Sequence, residues 1–94
     1  MMLRTVRLSQ GAQKDLRFAP PQVRSKLKAW INGVGKEGLE EVRKIPGFHD
    51  EPLSGKRKGQ RSIRLSRSYR AIYRVLSDGT VPFARIEEVT KHGY

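Results

Sequence analysis

The sequence predicts an α+β domain: two helices near the N-terminus, arranged as a hairpin, cover one face of an antiparallel sheet. Two observations carry this expectation. Helical spacing of apolar residues is concentrated in the first half of the chain, and strand-like alternation dominates the second. The resulting order, β-α-α-β-β-β, segregates helices from strands. The 94 residues suffice for one domain, 1–94, with one core, and no repeat or low-complexity tract divides them.

The elements follow in order. Met2 to Leu8 alternates weakly, with Val6 and Leu8 on one side and Thr5 and Arg7 on the other, and reads as a first strand. Ser9 is a suitable N-cap for a short helix over Gln10 to Phe18, where Ala12 and Leu16 share a face. Pro20-Pro21 breaks the chain and opens a second helix, because proline is tolerated at the first helical position. Val23, Leu27, Trp30, Ile31 and Val34 repeat at helical spacing, and Gly33 and Gly35 are expected to end this helix. Leu39, Val42 and Ile45 predict one or two further turns, stopped by Pro46-Gly47. FHDEPLSGKRKG then reads as a long loop.

Three strands are predicted beyond the loop, over Gln60 to Ser66, Tyr69 to Leu76 and Val81 to Val89, with Asp78-Gly79 as the hairpin turn between the last two. If Ile63 and Leu65 face the helices, Ser62 and Arg64 face away. On the next strand Tyr69, Ala71, Tyr73 and Val75 form the better core set, which sends Arg70 and Arg74 outward beside Arg64.

The charge sharpens the question of function. Lys and Arg total 20 against 9 acids, a formal net charge of +11. Such an excess favours a negative partner. GKRKGQRSIRLSRSYRAIYR alone holds Lys56, Arg57, Lys58, Arg61, Arg64, Arg67, Arg70 and Arg74 without one acid. One or two cations keep a strand soluble and discourage edge pairing. Eight in 20 residues predict contact with a polyanion. With no cysteine and two histidines, His49 and His92, thiolate and zinc sites are not expected. No stretch reaches membrane-spanning length, so the expected setting is the cytoplasm without a membrane partner.

Metal-free cleavage of RNA needs a base for the 2′-OH, a stabiliser for phosphorane charge, an acid for the leaving 5′-oxygen and a grip that holds the nucleotide in line. Arginine suits the phosphate role because its fork matches phosphate oxygens and stays charged. Glu51, Arg70, His92 and Tyr94 are the candidates for these tasks. Their structural alternatives are simple: Glu51 as counter-charge to Lys56 or Arg57, Arg70 as cross-strand partner of Glu87 or Glu88, and His92 and Tyr94 as plain terminal residues.

With these segments in view, the sequence resembles the RelE/ParE superfamily of toxins from type II toxin–antitoxin modules. EPLSGKRKGQRSIRL is similar to its loop-and-strand motif, SYRAIYRV to its YR-x-x-Y strand, and EEVTKHGY to its final strand with a terminal His and aromatic residue. The resemblance covers nearly the whole chain and is nearest the RelE/YoeB-like mRNA interferase branch. It implies a ribosome-dependent endoribonuclease that cuts mRNA in the A site of the 70S ribosome and inhibits translation, with no cofactor and no metal. By the same resemblance Glu51 is the general base, Arg70 binds the scissile phosphate, and Arg64 stands near that phosphate. His92 or Tyr94 is the general acid, the other stacking on or hydrogen-bonding the base. Gly93 separates these two, whereas YoeB-like tails have them adjacent.

Lys56, Arg57, Lys58, Arg61 and Arg74 are expected to add RNA and phosphate contacts. The implied protein partner is a cognate antitoxin, acidic and partly disordered, that wraps the toxin and offsets its charge. The ParE-like branch supplies the alternative, a non-enzymatic inhibitor of DNA gyrase. A non-catalytic nucleic-acid-binding module is disfavoured by the small number of aromatic residues.

Overall fold

The computed structural model describes residues 2–91. Strand β1 (Thr5–Leu8) leads into helix α1 (Gln10–Arg17), then α2 (Pro21–Glu37) and the short α3 (Leu39–Val42). After a 3₁₀ turn at Pro46–Phe48 come β2 (Glu51–Pro52), a second 3₁₀ turn at Gly55–Arg57, and the strands β3 (Gln60–Arg64), β4 (Tyr69–Ser77) and β5 (Pro82–Lys91).

Local chemistry accounts for the helices. The Ser9 hydroxyl oxygen accepts from the Ala12 amide at 3.0 Å, satisfying a free donor of the first turn of α1. The same hydroxyl donates to the Glu87 carbonyl at 2.9 Å, and Asp15 accepts from the Val89 amide at 2.9 Å, so α1 is tied to β5. Pro21 starts α2 as expected. Gly33 and Gly35, however, do not end it. The helix runs on to Glu37 and stops at Gly38, whose φ of +88° suits glycine alone. Gly33 serves packing instead: a Cβ there would lie 3.2 Å from Cγ2 of Val42, so its absence lets α3 approach α2 closely.

The sheet order is β1-β5-β4-β3-β2. The expected β3–β4–β5 meander is present and antiparallel, but β1 pairs with β5 in parallel, so the sheet is mixed. The chain leaves β1 through the helices, enters β2 at the opposite edge of the sheet, and returns strand by strand until β5 lies beside β1. The fifth strand, β2, falls inside the segment read as loop. Its two residues pair with β3 through Glu51↔Ser62 and Pro52↔Arg61. Two residues are too few to show alternation.

Val23, Leu27, Trp30 and Val34 of α2 and Ala12 of α1 form the core with Ile63, Leu65, Ala71, Tyr73, Ala84, Ile86 and Val89. The rings of Trp30 and Tyr73 lie 5.0 Å apart at 51°, a tilted contact worth ~1 kcal/mol beyond the burial itself. Val75, expected in the core, is exposed near the distal end of β4.

The register between β4 and β5 shifts between Ile72 and Tyr73. Ile72 faces Glu88 and Tyr73 faces Ile86, so Glu87 is an extra residue, a β-bulge. The face away from the helices is therefore not simply wet. Ile72 and Ser62 are fully buried on it, enclosed by long polar side chains from neighbouring strand positions.

Candidate functional site

Pairing across four strands sets the geometry of the outer face. Glu51, Ser62, Ile72 and Glu88 form one row, and Arg64, Arg70 and Thr90 form the next. Arg64 and Arg70 are directly opposed, which places two cations on neighbouring strands with Cβ atoms ~5 Å apart. Arg70 donates from Nη1 to the Ser62 hydroxyl at 3.2 Å, and Ser62 is itself the cross-strand neighbour of Glu51. Thus a carboxylate, a buried hydroxyl and two guanidinium groups converge on one end of the face. Among the described residues neither Arg64 nor Arg70 has a carboxylate partner. The cost of opposing like charges is therefore not offset locally, as in a site that awaits an anion.

Glu51 is held in place by the residue before it. The Asp50 side chain has no exposed surface. Its two oxygens accept from Nε of Arg61 at 2.7 Å and from the Tyr73 hydroxyl at 2.6 Å. Adjacent extended residues point to opposite sides, so Asp50 fastens the segment to the helix-side face while Glu51 stands on the outer face. The Glu51 carboxylate is 47% exposed and its Oε2 lies 4.0 Å from Nε2 of His49. Burial, first, and the hydrogen bond to Asp50 push the Tyr73 hydroxyl well above its ordinary value, so it stays a donor.

The remaining predicted cations divide. Arg61 does not join the outer face: its bond to Asp50 places it on the helix side, in a structural ion pair. Arg74 and Arg85 lie on the outer face but are bound to Glu87, through Nε of Arg74 at 3.3 Å and Nη2 of Arg85 at 2.8 Å. Gln60 also donates to Glu87, at 2.8 Å. Burial raises the Glu87 pKa, and the hydrogen bonds from Gln60, Arg85 and Arg74 outweigh it, holding the carboxyl below its ordinary value. Arg57 is drawn from its loop across β4 to Glu88 at 3.5 Å and also donates to Gln60 at 3.1 Å. Gly59 permits this closure: its φ is +96°, and a Cβ would stand 3.1 Å from Nη1 of Arg74. Lys56 and Lys58 are exposed on the loop, which borders an open cleft of about 370 Å³ lined by Leu53, Ser54, Lys56 and Arg57. His92 and Tyr94 lie outside the described residues.

Sequence reasoning placed Arg64 and Arg70 on the outer side and Glu51 in the loop before the basic stretch, and it missed the parts played by Asp50 and Ser62. Asp50 carries no motif of its own. Ser62 was read only as outward-facing. Glu87 and Glu88 were weighed only as partners of Arg70; the structure gives Glu87 to Arg74 and Arg85 and Glu88 to Arg57, and the three-residue step from Ile86 to Val89, after the two-residue step from Ala84, betrays the bulge.

No family model and no curated protein matches the chain. Solved structures do. The crystal structure of YafQ from E. coli is similar over 95% of this chain and 93% of its own, at 25% identity and a TM-score of 0.70. A YoeB/ParE toxin from Agrobacterium tumefaciens superposes over 95% of this chain and 99% of its own, at 18% identity and a TM-score of 0.73. The RelBE2 toxin–antitoxin complex from Mycobacterium tuberculosis contains a chain similar over 98% of this one and 100% of its own, at 22% identity and a TM-score of 0.66. The architecture that brings Glu51, Ser62, Arg64 and Arg70 together is the RelE/YoeB-like toxin fold.

Proposed function

We propose that this protein is the toxin of a type II toxin–antitoxin pair and that it cleaves mRNA in the ribosomal A site. The observation that carries the reading is the convergence of Glu51 and Arg70 around Ser62, with Arg64 opposite Arg70 and no carboxylate bound to either arginine among the described residues. In this reading Glu51 takes the 2′-OH proton. The 2′-oxygen attacks the adjacent phosphorus, Arg70 and Arg64 take up the phosphorane charge, and the 5′-oxygen leaves as a hydroxyl. His92 or Tyr94 supplies that proton. The products are a 2′,3′-cyclic phosphate and a 5′-OH end. Lys56 and Lys58 grip ribosomal RNA. An acidic, partly disordered antitoxin would cover the +11 domain, in keeping with similar folds solved as toxin–antitoxin complexes, among them DinJ–YafQ from E. coli.

The test is cleavage of a defined mRNA by the purified protein with and without programmed 70S ribosomes, in EDTA, alongside Glu51→Gln and Arg70→Ala. Ribosome-dependent cuts lost in both variants support the reading. Intact mRNA from a protein that remains toxic when expressed would favour the gyrase alternative, which the name of the YoeB/ParE neighbour keeps in view.

A further inference from the structure

The bulge in β5 gives the basic face a boundary. Glu87 is inserted opposite no residue of β4, and its carboxylate, only 19% exposed, gathers Arg74, Arg85 and Gln60. Glu88 holds Arg57 in the same way. Three of the outer-face cations are thereby committed to carboxylates of the protein itself. At the other end Arg64 and Arg70 form no ion pair among the described residues. Arg70 and Arg74 are four positions apart on β4, ~13 Å along the strand. Within that distance the face passes from an uncompensated pair of arginines to a nearly neutral network.

We infer that Glu87 is a specificity-determining residue that withholds Arg74 and Arg85 from nucleic-acid phosphate and confines strand binding to the Arg64–Arg70 end. A uniformly basic sheet would let a strand slide along it in many registers. A phosphate bound only beside Glu51 is held in one. The inference rests on the reading of this face as a phosphate-binding surface. It explains why an acid sits at the bulge of a domain otherwise so rich in cations: Glu87 lowers non-specific affinity and fixes register.

The salt dependence of binding reads this out, because each phosphate neutralised on a single strand contributes about 0.7 to the slope of log affinity against log salt. The probe is a 12-nucleotide single-stranded RNA carrying a 2′-O-methyl group at every position, so that no 2′-OH is free to attack and no cleavage intervenes. Glu87→Gln keeps the shape and a hydrogen-bond acceptor while removing the charge. It should bind this probe more tightly than wild type, with a slope steeper by about 0.7 to 1.4, corresponding to one or two released arginines. Arg64→Gln should flatten the wild-type slope by about 0.7, and Arg85→Gln should leave it unchanged.

An unaltered slope in a folded Glu87→Gln protein, or a loss in Arg85→Gln equal to that in Arg64→Gln, would overturn the inference. If Glu87→Gln does not fold, the comparison of Arg85→Gln with Arg64→Gln decides alone. Loss of slope in Arg64→Gln and Arg70→Gln with no gain in Glu87→Gln removes this inference and leaves the proposed site standing. No loss in any arginine variant removes both.

Discussion

At the scale of single residues, the site is an arrangement of opposites. Asp50 is buried and fully bonded, and Glu51, next in the chain, is half exposed and bonded to no hydrogen-bond donor among the described residues. Substituting the first should cost stability and substituting the second should cost activity. Asp50→Ala leaves Arg61 and the Tyr73 hydroxyl without their shared acceptor. Breaking such a pair destabilises by ~3 kcal/mol, readable as a shift in the denaturant midpoint. Glu51→Gln should leave that midpoint in place and lower cleavage ~100-fold or more, the scale of a lost general base. Arg70→Ala should likewise keep the fold and reduce cleavage ~100-fold or more, because in the proposed mechanism Arg70 stabilises the developing phosphorane.

At the scale of elements, α2 and β4 were legible in the sequence because their apolar periods run long. The registers that build the site were not. β2 has two residues, and its pairing with β3 is supported by the part-buried bond that Arg61 donates to Asp50, a contact between residues eleven apart that no local pattern announces. The stretch of eight cations holds no acid, but β5 supplies Glu87 and Glu88, and these bind Arg74 and Arg57 rather than the Arg70 with which the sequence paired them. Arg61 was assigned to phosphate because its strand is basic, yet alternation puts it on the helix side with Ile63. Gly33 was read as a helix stop when its role is close packing. Gly38 is the true stop, and Gly38→Ala should destabilise the domain by ~1–3 kcal/mol, since a side chain strains the backbone at φ +88° and would also meet Met2.

At the scale of the whole molecule, charge governs both stability and partners. The hydrogen bonds that hold Glu87 and Asp78 below their ordinary values favour the folded state while both are ionised. A depressed carboxyl contributes above its unfolded value and loses that contribution as pH falls through its folded value. Stability should therefore decline from about pH 4.5, the ordinary glutamate value, downward, and Glu87→Gln should flatten part of that decline. Tyr73 acts in the opposite direction. Its raised pKa means the stability it contributes is complete below the ordinary value of 10.0 and is lost as pH rises beyond it. Thermal melts across this range check both limbs. A net charge of +11 also destabilises the isolated domain through self-repulsion, so an acidic partner should raise its melting temperature, and more so at low salt.

The outer face is proposed as a metal-independent nuclease site completed on the ribosome. Its most direct test is the fate of a defined mRNA incubated with the purified protein and programmed 70S ribosomes in EDTA, with the new ends identified. Cuts are expected in the A-site codon, leaving 2′,3′-cyclic or 3′-phosphate ends, requiring the ribosome and disappearing in Arg70→Ala. Cuts that persist unchanged in Arg70→Ala, or mRNA left intact by a protein that still arrests growth, would contradict it.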